Sequence, residues 1–271
     1  MTKTVFITGS STGIGKATAL YFQEKGWNVS ATMRTPSKEQ ELTQFKNVIC
    51  PKLDVTDVES IKNAIKETIE KFGDIDVIVN NAGYGLSGAF EGATEEQIKK
   101  QFDTNVFGVM SVIREILPLF RKNKKGLIIN VTSMGGKVTF PLYSLYHSSK
   151  WALEGFSESL QYELAPFNIK VKIIEPGAIK TDFYDRSADF SKPENTTDYD
   201  NYVEKLNKEF AKTGKNGAKP IEVAKVIYKA STDNASKLRY TAGFDAKALI
   251  KVKSLISDEM YIKIVKTALK I

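Results

Sequence analysis

The sequence predicts an α/β protein whose core is a doubly wound parallel sheet. Two observations carry that reading. Short apolar, β-branched runs alternate with helical patterns along most of the chain, and most of those runs are continuously apolar rather than alternating. Strand–helix alternation calls for crossover connections between parallel strands. Continuous apolarity is what strands need when helices cover both faces of the sheet. The expected strands are 4–8, 28–33, 47–53, 75–80, 126–132, 170–175 and 238–241. Helix starts carry side chains able to satisfy free amides. Thr56 with Glu59 and Thr94 with Gln97 fit the capping box, and Pro220 stands at the first-turn position of a helix over 221–230.

Two stretches break the rhythm. Residues 182–219 mix aromatics (Phe183, Tyr184, Phe190, Tyr199, Tyr202, Phe210) with Ser, Asp, Asn and Lys, and only 199–212 looks helical. A long irregular insertion in a compact domain is commonly functional. Here it is expected to be a mobile substrate lid, with an oligomer contact as the alternative. The tail, 245–271, reads as two short helices, the second opening at Ser257. Its Tyr261, Ile264, Val265 and Ala268 fall on one helical stripe, expected to pack on the core rather than lie on a membrane surface.

Composition narrows the class. The 271 residues are 42% hydrophobic and 26% charged, so one domain over 1–271 can bury a full core without staples. Cys50 stands alone, which removes the disulfide-rich class, and with His147 the single histidine no His/Cys zinc site is expected. The net charge of +7 comes from lysines spread along the chain, the densest short cluster being 121–125. A nucleic-acid binder concentrates its charge on one face, so no nucleic-acid partner is expected. No apolar run approaches the roughly 18 residues of a membrane span. The apolar stretch at the start is too short for a signal peptide, and a cytoplasmic location is expected.

Directly after the first strand comes Thr8-Gly9-Ser10-Ser11-Thr12-Gly13-Ile14-Gly15, then a helical pattern over 16–24. Small residues let the backbone approach a pyrophosphate, and the helix offers free amides and a positive dipole end. A tight strand-to-helix turn can need the same residues, but strand before and helix after favour a phosphate loop.

This Thr-Gly-x-x-x-Gly-Ile-Gly spacing resembles the cofactor loop of the short-chain dehydrogenase/reductase family, in its single-domain type. Further motifs follow in order. Asn80-Asn81-Ala82-Gly83 stands after the fourth strand and Asn105 in the fourth helix. Ser133 closes the fifth strand, Tyr146-His147-Ser148-Ser149-Lys150 matches Tyr-x-x-x-Lys, and Pro176-Gly177-Ala178-Ile179-Lys180-Thr181 follows the sixth strand. The resemblance covers residues 4 to 181 and implies a Rossmann-type sheet, a nicotinamide dinucleotide and carbonyl/alcohol chemistry. Beyond Ala242-Gly243 the tail is loosely similar to hydroxysteroid- or retinol-dehydrogenase-like members. Family membership also implies a homo-oligomer.

The chemistry can be built from the residues. Tyr146 and Lys150 at i, i+4 share one helix face. A tyrosine near pKa 10 is a poor acid–base catalyst at neutral pH, and a neighbouring ammonium lowers that value. Tyr146 can then exchange a proton with a carbonyl or alcohol oxygen. By the resemblance, Tyr146 is the proton donor, Lys150 also holds the nicotinamide ribose, Ser133 hydrogen-bonds the substrate oxygen, and Asn105 supports a water relay to the lysine. His147 points about 100° away around the helix, which favours a surface or substrate-lining place over catalysis.

The same resemblance places Gly9, Ser10, Ser11, Gly13, Ile14 and Gly15 at the cofactor phosphates. It places Asp54 and Val55 at the adenine, and Asn81, Ala82, Gly83, Pro176, Gly177, Ile179 and Thr181 along the remainder of the cofactor. The second strand ends Ala31-Thr32-Met33-Arg34, with Met33 where NAD-specific relatives carry an acid. Without that carboxylate, Arg34 can pair with a 2′-phosphate, so NADP(H) is expected over NAD(H). The expected activity is an NADP(H)-dependent carbonyl reductase or alcohol dehydrogenase acting on a small, largely apolar molecule. The alternative is an NADP(H)-binding redox sensor without turnover, which would be expected to lose the tyrosine or lysine. Epimerase or dehydratase chemistry is disfavoured, since those relatives have another glycine spacing and a longer C-terminal domain.

Overall fold

The computed structural model describes residues 2–180, 188–194 and 196–271. Seven strands form one parallel sheet: β1 (Thr4–Ile7), β2 (Asn28–Ala31), β3 (Val48–Ile49), β4 (Val77–Asn80), β6 (Gly126–Val131), β7 (Ile169–Pro176) and β9 (Arg239–Ala242). Their order is β3-β2-β1-β4-β6-β7-β9, so the chain winds outward in both directions from the β1–β4 boundary. That boundary is the switch point at whose carboxyl edge open α/β sheets bind ligands.

Strand side chains alternate between two cores, which explains the continuous apolarity. Val5, Ile7, Val79 and Ile129 face one layer with Phe22 of α1 (Gly13–Glu24) and Ile227 of α7 (Pro220–Thr232). Phe6, Ile78 and Ile128 face the other. There they meet Ile61 of α2 (Val58–Phe72), Ile113 and Ile116 of α4 (Gly108–Asn123), and Leu160 of α5 (Ser144–Leu164). Gly126 is required at the start of β6, because a Cβ there would sit 2.2 Å from the Phe120 ring.

Several expectations are corrected. Asp57, not Thr56, caps α2, its carboxylate accepting from the amides of Glu59 and Ser60, while Thr56 bonds back to Asp54. The capping box at Thr94 and Gln97 opens α3 (Glu95–Phe102) as expected. Between α3 and α4, the π turn Asp103–Phe107 carries Asn105, so that residue stands in a widened turn rather than a regular helix.

A second, two-stranded parallel sheet pairs β5 (Gly85–Gly88) with β8 (Ala188–Ser191). Neither strand has a β-branched residue, and tertiary pairing overrides their weak strand propensity. The expected irregular stretch therefore contains a strand, and it continues into α6 (Asp200–Lys215). Its residues 182–187 and 195 lie outside the described residues.

The tail forms α8 (Phe244–Lys253) and α9 (Asp258–Leu269), with Ser257 capping the second. The stripe on α9 does not pack into the core as expected. Tyr261 is buried, but Ile264 is 44% exposed. Tyr261, Ile264, Val265 and Ala268 all line the large cavity described next. Among the described residues no helix is long and apolar enough to cross a membrane.

Candidate active site

The carboxyl edge of the sheet opens into a cavity of about 940 Å³. Part of its lining is the loop between β1 and α1. Gly9 turns at φ +70°, and a Cβ on it would lie 2.8 Å from Ala82 Cα. The loop is braced by the segment after β4: the Thr8 hydroxyl accepts from the amides of Asn81 and Ala82 at 3.0 Å, and Asn81 Nδ2 donates to the carbonyls of Thr8 and Gly9. Thr12, at the N-cap of α1, makes no side-chain capping bond, so the first-turn amides remain for an anionic ligand.

Of the expected cofactor residues, Gly9, Ser11, Gly13 and Ile14 line the cavity, as do Arg34, Asp54 and Val55. Ala82, Gly83 and Asn81 line it from β4, and Pro176, Gly177 and Ile179 from β7. Ser10 and Gly15 lie beneath it. The Ser10 hydroxyl is spent on the Ile7 carbonyl at 3.1 Å, and Gly15 is a packing glycine whose Cβ would meet Gly9 O at 2.2 Å. Thr181 lies outside the described residues.

Ser133, Tyr146 and Lys150 line the same cavity. Lys150 Nζ lies 5.8 Å from the Tyr146 ring centroid and donates to the Val131 carbonyl at 3.2 Å. Burial brings the Lys150 ammonium down to about 8, opposed by the Glu154 carboxylate one turn further along α5. Ser133 Oγ accepts from the Gly135 amide at 3.0 Å, which fixes its rotamer.

Asn105 is buried and tied to Tyr84: Oδ1 accepts from the Tyr84 amide at 3.1 Å and Nδ2 donates to the Tyr84 carbonyl at 2.9 Å. Nδ2 also reaches Ser149 Oγ at 3.2 Å. Asn105 therefore anchors the chain directly after Gly83.

His147 is not a surface residue; of the two expected places the structure gives it the one lining the cavity. It lines the cavity but is 5% exposed, with both ring nitrogens engaged. Nδ1 donates to the Gly135 carbonyl and Nε2 accepts from the Phe140 amide, each at 2.9 Å. Burial holds the imidazole near pKa 4, hence neutral. Its role is to staple the loop that carries Ser133 to α5. Both loop partners lie 12 and 7 residues upstream, so nothing local in the sequence marks them.

Other participants were also absent from the sequence reading. Asp245 pins the turn after β7 by accepting from the Ala178 amide at 2.7 Å, and a Cβ on Gly177 would strike it at 2.2 Å. Glu154 is buried beneath Lys150, accepting from Thr132 Oγ1 at 2.7 Å and Arg239 Nε at 2.9 Å. Burial and the neighbouring Glu154 raise the Glu175 carboxyl. No group of metal-ligating side chains occurs among the described residues.

The sequence and the fold have counterparts among known proteins. The family described as short chain dehydrogenase matches residues 3–191. The chain is 36% identical to the 3-ketodihydrosphingosine reductase of Bacteroides thetaiotaomicron over 258 residues, covering 94% of each. A solved short-chain dehydrogenase from Streptomyces avermitilis is 33% identical with TM-score 0.83, over 98% of this chain and 95% of that one. The structure of ElxO with NADP bound is 30% identical with TM-score 0.72, over 89% and 98%. The chain belongs to the short-chain dehydrogenase/reductase family, and it is an oxidoreductase of that type.

Proposed function

We propose that the protein is an NADP(H)-dependent oxidoreductase that interconverts a carbonyl and an alcohol on a bulky, largely apolar small molecule. The observation that carries this reading is the meeting of Ser133, Tyr146 and Lys150 in the same cavity that the braced glycine-rich loop after β1 also lines. When bound, the nicotinamide supplies or accepts the hydride. Tyr146 holds the proton exchanged with the substrate oxygen. Lys150 places a positive charge beside it and favours the phenolate, and Ser133 stabilises charge on that oxygen. The carboxylate of Glu154 helps keep Lys150 protonated in its buried place.

The cofactor choice rests on Arg34, exposed on the cavity wall, and on buried Met33 in place of a carboxylate. Structures of this fold hold NAD as well as NADP, so these two residues, not the fold, support the choice. An apolar substrate is supported by the lining from α8 and α9 and by the Tyr143–Phe210 ring pair, 5.3 Å apart. The relative named 3-ketodihydrosphingosine reductase supports a ketone as the carbonyl. Asp189 and Phe210 reach the cavity from the 182–219 segment, which supports reading it as a lid. Exposed Phe107, Trp151 and Tyr162 near or on α4 and α5 support a homo-oligomer contact there. A sensor without turnover is not favoured, since tyrosine and lysine both face the cavity.

The test is NADPH oxidation over aldehydes, ketones, quinones and steroids, with the reverse assay on alcohols. Turnover of an apolar carbonyl is expected. Cofactor binding with no turnover across the panel would favour the sensor.

A further inference from the structure

Tyr84 is held with unusual thoroughness for a residue the reaction does not use. Its amide donates to Asn105 Oδ1, and its carbonyl accepts from Asn105 Nδ2 and from Gln101 Nε2 at 3.1 Å. Both clamping amides are buried. Tyr84 lines the cavity, yet its buried hydroxyl has no hydrogen-bond partner among the described residues. A buried unpaired hydroxyl is costly, and such a group in a native cavity calls for an explanation. Burial, with Asp189 and Asp103 nearby, pushes the phenol up to about 12, so it is a donor at neutral pH.

Two charged side chains share this wall. Lys100 Nζ stands 5.0 Å over the Tyr84 ring and 3.6 Å from Asp189 Oδ2. The other Asp189 oxygen, Oδ1, is taken by Gln97 Nε2 and the Phe190 amide. At 3.6 Å the Lys100 contact is longer than a hydrogen bond, and Oδ2 keeps the capacity to accept one. The wall stands close to the reacting groups: Tyr84 follows Gly83, on which a Cβ would lie 3.8 Å from Lys150 Nζ. Another part of the lining, from Leu249 and Val252 on α8 and Ile264, Val265 and Ala268 on α9, is apolar.

We propose that Tyr84 and Asp189, held by Lys100, form a head-group subsite for a hydroxyl near the reacting carbon, so that the substrate is an amphipathic hydroxy ketone with its alkyl chain against α8 and α9. The hydroxyl accepts from Tyr84 Oη and donates to Asp189 Oδ2. The inference rests on the carbonyl-reductase reading and names the substrate class for that same cavity.

The test compares a medium-chain ketone with its α- and β-hydroxylated counterparts, each reduced with NADPH. The better hydroxy ketone is expected to exceed the plain ketone by roughly tenfold or more in kcat/KM, the scale of a satisfied buried hydrogen bond. Tyr84→Phe should remove that advantage and leave the plain ketone within about twofold, and Asp189→Asn should act in the same direction. The Tyr84→Phe variant without ligand should also melt no lower than the parent, since it deletes an unpaired hydroxyl; a purely structural role would lower it. Equal effects on both ketone types would overturn the proposal. Calorimetric binding of the matching diols and mono-alcohols to the enzyme with NADP separates this from the reaction itself. A diol advantage lost in Tyr84→Phe, with no ketone reduced, would leave the subsite standing and remove the reductase reading. Diol and mono-alcohol binding alike to the parent would remove the subsite.

Discussion

Replacing His147 by leucine isolates one buried contact set, because the chain has no other histidine. Leucine keeps a similar volume but strands the Gly135 carbonyl and the Phe140 amide, each bonded at 2.9 Å in the native loop. Gly135 is buried and Phe140 only half-buried, so water can recover part of the second loss. At about 1–3 kcal/mol for a stranded buried group, the variant should lose roughly 2–4 kcal/mol near pH 8. The imidazole adds a pH signature. Its folded value is lowered to about 4 against 6.5 for the free group, so the unfolded chain takes up the proton first as pH falls. The stabilisation is full above about 6.5 and is lost as pH drops toward 4. At about pH 5 the parent should have lost about 2 kcal/mol that the variant never had. Urea unfolding of both proteins at the two pH values measures the gap, which should narrow by that amount. A gap that stays constant would refute the neutral, doubly bonded imidazole.

Two further outcomes follow from the same geometry. Arg34→Ala should weaken NADPH binding by about ten- to a hundredfold, the scale of one charge-assisted contact, while NADH binding changes little; equal losses in titrations with both cofactors would show that Arg34 does not read the 2′-phosphate. Lys150→Met should abolish turnover yet melt no lower than the parent near neutral pH, since burial disfavours the ammonium it removes; a large drop in Tm would mean that the lysine is chiefly a structural member.

The central sheet was legible because burial on both faces leaves a sequence mark that needs no tertiary knowledge: runs such as Val77-Ile78-Val79 are continuously apolar. The pair β5 and β8 left no such mark, since Gly85–Gly88 and Ala188–Ser191 form strands only by meeting across about a hundred residues. The proposed reacting set could be read from the sequence because Tyr146 and Lys150 share one helix and the glycine-rich loop is contiguous. The groups that position them could not. His147, Glu154 and Asp245 act through partners contributed by other elements; Asn105 is marked by the family resemblance, but its bonds to Tyr84 are not. Periodicity gave the correct face of α9 but could not say what that face meets, and it meets the cavity instead of the core.

The most direct measurement is NADPH oxidation by wild type and Tyr146→Phe on the best carbonyl substrate, with NADPH affinity read in parallel by fluorescence titration. Phenylalanine preserves the ring beside Lys150 and removes the proton that the site offers the substrate oxygen. The expected result is a loss of about 10²–10⁴-fold in kcat with NADPH affinity nearly unchanged. Near-normal turnover by the phenylalanine variant would contradict Tyr146 as the general acid/base.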